Sequence, residues 1–72
     1  MKVGDLVKPK NRMHQLVSGC GRYPRAVVVR LDPFAMVSEE ADMLWNCREE
    51  RHFEVIGEAA PEILEKCMKR IE

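Results

Sequence analysis

The sequence predicts a mainly β protein, a small five-stranded barrel followed by one C-terminal α-helix. Three observations predict it. Five short runs rich in apolar and β-branched residues are separated by polar turns. Helical spacing of apolar residues begins only after Gly57. The chain has 72 residues, which is one domain with one small core, and curling a sheet on itself hides most of its edges.

The first strand lies in "KVGDLVKPK", residues 2–10, where Val3, Leu6 and Val7 surround Gly4-Asp5. Pro9 has no N–H to give and ends the ladder. Residues 9–25, "PKNRMHQLVSGCGRYPR", hold two prolines and two glycines and no sustained period. They predict a long surface loop with a turn of helix around Met13–Val17. Loops this long in small domains are commonly functional or disordered.

Residues 26–31, "AVVVRL", are the clearest strand, with Val27, Val29 and Leu31 on one face. Asp32-Pro33 marks a turn into a third strand, residues 34–38, "FAMVS". "EEAD" connects to "MLWNC", residues 43–47, with Met43, Trp45 and Cys47 on one face. "REER" is another polar turn, and "FEVI", residues 53–56, is the last strand, ended by Gly57. The expected core is Val3, Leu6, Val27, Val29, Leu31, Met36, Trp45, Val55 and part of the helix stripe.

The tail, "APEILEKCMKRIE", sets Leu64, Cys67, Met68 and Ile71 at helical spacing with Ile63 alongside. Pro61 suits the first helical position and Glu62 the positive end of the dipole. Glu65 and Lys69 stand four apart in the favourable order. A helix over about residues 60–71 follows. Its stripe has two destinations: its own barrel, which the short linker "GEAA" favours, or a groove on another copy or another protein.

These residues carry a resemblance. "KVGDLVK", "AVVVRL" after a long loop, "MLW" and the closing "FEVIG" resemble the SH3-like barrels of small bacteriophage proteins. The likeness covers about residues 2–57 and leaves the helix as an addition within a single domain, 1–72. It implies an SH3-like barrel whose first strand pairs with a later one, with Gly4-Asp5 making the bend that turns Leu6 inward. It also implies a phage-type binding or assembly module, a virion component or a host-directed effector.

Formal net charge is zero, yet the charges are segregated. Residues 1–32 hold seven bases against two acids, and residues 33–72 hold ten acids against five bases. Either the two halves complement each other internally, or a basic patch serves an acidic partner. Lys8, Lys10, Arg12, Arg22 and Arg25 cluster in or beside the first loop, with Tyr23 available to stack. They form a candidate nucleic-acid site. The acidic second half and the thin aromatic content, 6%, argue against it.

Catalytic chemistry is poorly represented. Cys20, in "SGCGR" beside Arg22, is the best candidate thiol, with His14 or His52 as a base. The simpler reading is an incidental loop thiol, with Cys47 and Cys67 as small core hydrophobes. His14, Cys20, Cys47 and His52 are metal-ligand types, but they lack the spacing of a zinc knuckle. The "SGCGR" glycines have no strand before them and no helix after. No enzyme, metal or cofactor is expected. The expected function is non-catalytic: protein interaction or assembly, with nucleic-acid binding as the alternative and homo-oligomerisation open. Three cysteines without an apolar leader predict reduced thiols in a cytoplasmic setting, and no run is long enough to span a bilayer.

Overall fold

The computed structural model describes residues 1–10, 16–18, 21–23, 25–46 and 50–71, with the backbone alone for 16–18 and 21–23. Seven strands and one helix follow in order: β1 Asp5–Pro9, β2 Leu16–Ser18, β3 Gly21–Tyr23, β4 Ala26–Leu31, β5 Phe34–Ser38, β6 Leu44–Asn46, β7 Phe53–Glu58 and α1 Pro61–Arg70. A single 3-10 turn, Glu50–His52, leads into β7. The fold is mainly β with a C-terminal helix, as the sequence predicts.

Five strands form one antiparallel sheet in the order β6-β5-β4-β1-β7, and β2 pairs with β3 as a separate ribbon. β1 pairs with β4 on one side and with the last strand on the other, as expected for the N-terminal strand. Gly4 prepares this position. Its φ of +98° suits a residue without a Cβ. Its N–H donates to the Val28 carbonyl at 2.8 Å, and its carbonyl accepts from Ala59 N–H at 2.9 Å. One turn residue thus ties β4 to the segment after β7. Leu6 follows, half-buried against the helix side.

The sheet curls. β5 and β7 stand three strands apart in the ladder order, a span of about 14 Å if the sheet were flat. The rings of Phe34 on β5 and Phe53 on β7 nevertheless lie 6.3 Å apart, centroid to centroid. Inside the curl sit Val7, Ala26, Val28, Phe34, Met36, Trp45 and Phe53, with Met43 against them. Among the described residues no ladder joins β6 to β7.

The opposite face carries a second core. Val27, Val29, Ala35 and Val37 pack with Cys67, and Leu6, Leu44, Ile63, Leu64, Met68 and Ile71 border them. The helix therefore lies on the outer face of β4 and β5, on its own sheet. Every residue of β5 and the first four of β4 are buried, because the curl covers one face and α1 the other. Pro61 opens the helix after an extended Ala60. The Ala60 carbonyl accepts from Ile63 and Leu64 N–H at 3.0 and 2.9 Å.

Several expectations are corrected. Leu16 and Val17 lie in β2, not in a helical turn; extended pairing with Arg22 and Tyr23 takes up their backbone. β6 is shorter than expected, and Met43 precedes it. β7 runs through Gly57 to Glu58, since Gly57 pairs with Leu6. Val3, Leu31 and Val55 are not core: they are 43, 40 and 47% exposed. Val3 lies in the turn before β1, and Leu31 lies beyond the register shift that follows Val28. Val55 lies on an edge strand. Conversely Val7, Ala26, Val28, Phe34, Ala35, Val37 and Phe53 are core residues that one-sided alternation does not pick out.

Candidate interaction site

The basic residues of the first half are answered by acids of the second. Lys8 on β1 stands opposite Glu54 on β7, and its Nζ lies 3.4 Å from Glu54 Oε1. Arg25 Nε lies 2.8 Å from Glu39 Oε2, and Lys2 Nζ 3.1 Å from Glu58 Oε1. The Glu58 hydrogen bond and charge, helped by Asp5, hold the Lys2 ammonium above its usual pKa. Antiparallel pairing of β1 with β7 thus produces part of the internal complementarity that the segregated charges allow. The two lysine pairs are exposed, while Glu39 is half-buried; exposed pairs contribute little to stability.

This pairing bears directly on the candidate nucleic-acid site. Lys8 and Arg25 each share their charge with a carboxylate. Lys10 is exposed at the end of β1, its N–H donating to the His52 carbonyl at 2.9 Å. Arg22 and Tyr23 are placed by backbone only, in β3, and Arg12 lies outside the described residues. So do His14, Cys20 and Cys47, three of the four residues considered for thiol or metal chemistry. His52 is half-buried in the 3-10 turn. Among the described residues no group of three His, Cys, Asp or Glu side chains could hold a metal ion.

Of the two destinations open to the helix stripe, the chain's own sheet is the one it takes. Cys67 is fully buried, and Leu64, Met68 and Ile71 border the same cluster on the chain's own sheet. Burial pushes the Cys67 thiol pKa up, with a smaller contribution from Glu39. This thiol is unsuited to nucleophilic chemistry, which needs the thiolate.

The residues that sequence reasoning missed are on β7. Only Phe53 of its six residues is buried. Val55 and Ile56 are 47 and 41% exposed. Between Leu6 and Val7 the partner on β7 jumps from Gly57 to Val55, so Ile56 is the extra residue of a β-bulge. Bulges re-aim side chains and mark sheet edges. No strand pairs with the outer side of β7 among the described residues. At its C-terminal end a shallow depression of about 160 Å³ is lined by Lys2, Val3, Gly4, Glu58, Ala59 and Leu64. That is below the roughly 300 Å³ at which small-molecule sites begin, but it can seat one side chain.

No family model matches the chain, and neither a curated protein nor a solved structure matches it. No described helix is long and apolar enough to cross a membrane.

Proposed function

We propose that this small β domain is a non-catalytic protein-interaction or assembly module. The observation that carries the reading is the exposure of Val55 and Ile56 side by side on an edge strand. Half-exposed β-branched residues on a strand that no described strand pairs on its outer side favour association, and edges are normally blunted. The likeness to SH3-like phage barrels supplies the setting: a virion component or a host-directed effector. The exposed apolar pair, the small depression and the protonated, buried Cys67 all favour binding over chemistry.

The alternative is nucleic-acid binding through Lys8, Lys10, Arg12, Arg22, Tyr23 and Arg25. The carboxylates beside Lys8 and Arg25 weigh against it, since a phosphate would have to displace them.

The test places a photo-crosslinking residue at position 55, at 56, or at the helix position Glu65, in the full chain. A shared adduct at 55 and 56, absent at 65 and competed by unlabelled protein, supports the module. Uniform or absent crosslinking opposes it. Labelled single- and double-stranded oligonucleotides are titrated in parallel at low and moderate salt. Binding that falls steeply with salt, and is lost on neutralising Lys8, Lys10 and Arg12, would establish the alternative instead.

A further inference from the structure

We draw no further inference here: the strongest candidate, the outer edge of β7 with its exposed Val55 and Ile56, carries nothing more because the carboxylates of Glu54 and Glu58 already meet Lys8 and Lys2 and nothing in the structure shows what covers that edge.

Discussion

The thiol of Cys67 on α1 donates to the main-chain carbonyl of Ser38 on β5 at 3.5 Å. Ser38 is also the organiser of the turn that follows it. Its buried hydroxyl lies 2.5 Å from Asp42 Oδ1 and accepts from the N–H groups of Asp42 and Met43 at 3.0 and 3.2 Å. Its own N–H donates to the Met43 carbonyl at 2.8 Å, and its carbonyl accepts from Ala41 N–H at 2.8 Å. Helix docking and the β5–β6 turn therefore meet at one residue. Ser38→Ala removes the acceptor for two backbone donors, and the expected loss is about 1–3 kcal/mol. Urea unfolding of the two chains measures it, and an unchanged midpoint would contradict the role assigned to the hydroxyl.

Cys67 gives a pH dependence with a definite sign. Its thiol pKa is raised above the ordinary value near 9.0, first by burial and then by Glu39. Between the unfolded and folded values the native state holds a proton that the unfolded chain has released. The contribution is fully present below about pH 9 and is lost as the pH rises through the folded value. Wild type should therefore lose more stability between pH 8 and pH 10 than Cys67→Ala does. Equal losses would mean the thiol ionises in place. Alkylation at pH 8 followed by peptide mapping should leave Cys67 unlabelled in the native protein and labelled in urea.

The reach of the sequence is clearest in β4. "AVVVRL" identifies a strand by its β-branched residues, but a one-sided alternation assigns only Val27 and Val29 correctly. The unbroken apolar run Ala26–Val29 was the signal for burial on both faces; the helix stripe supplies the second cover. Leu31 keeps the alternation and yet is exposed, because the register shifts after Val28, and a shift of register is invisible locally. Val55 fails for a related reason. "FEVI" aligns it with Phe53, whereas the edge location and the bulge at Ile56 depend on how β7 meets β1. The charge pairing was legible as an imbalance between halves. The particular partners, Lys8 with Glu54 and Arg25 with Glu39, came from strand register and chain folding.

Two backbone positions should respond in opposite directions. Gly4 has φ +98°, and a Cβ there would lie 3.4 Å from Leu64 Cδ2, an ordinary contact. The cost of Gly4→Ala is thus conformational, about 1–3 kcal/mol. At the start of α1, Ala60 is extended and provides no side-chain cap. Ala60→Ser or Ala60→Asp should add about 1 kcal/mol by accepting an unpaired N–H of the first turn. Thermal melts of the three variants test both. Stabilisation by Gly4→Ala would show that the turn does not need its left-handed residue.

The helix is the largest removable part of the core. Its apolar side chains cover Val27, Val29, Ala35 and Val37, with Leu6, Ala41, Leu44 and Ala59 also packed against the cluster. A helix this short is marginal alone in water, so its order and the burial of those four side chains depend on each other. Each large apolar side chain contributes roughly 1.5–3 kcal/mol when fully buried, and a small domain has only about 5–15 kcal/mol in all. Deleting residues 60–72 should therefore leave a sheet that binds hydrophobic dye and melts without a cooperative transition. Because a truncated chain can fail for other reasons, Leu64→Ala and Met68→Ala in the full chain give the graded version. Both side chains are half-buried, so the expected cost is about 1–2 kcal/mol each, below the 2–5 typical of full burial. A truncated chain that kept its melting temperature and lost only a partner would return the stripe to the role of an interaction element.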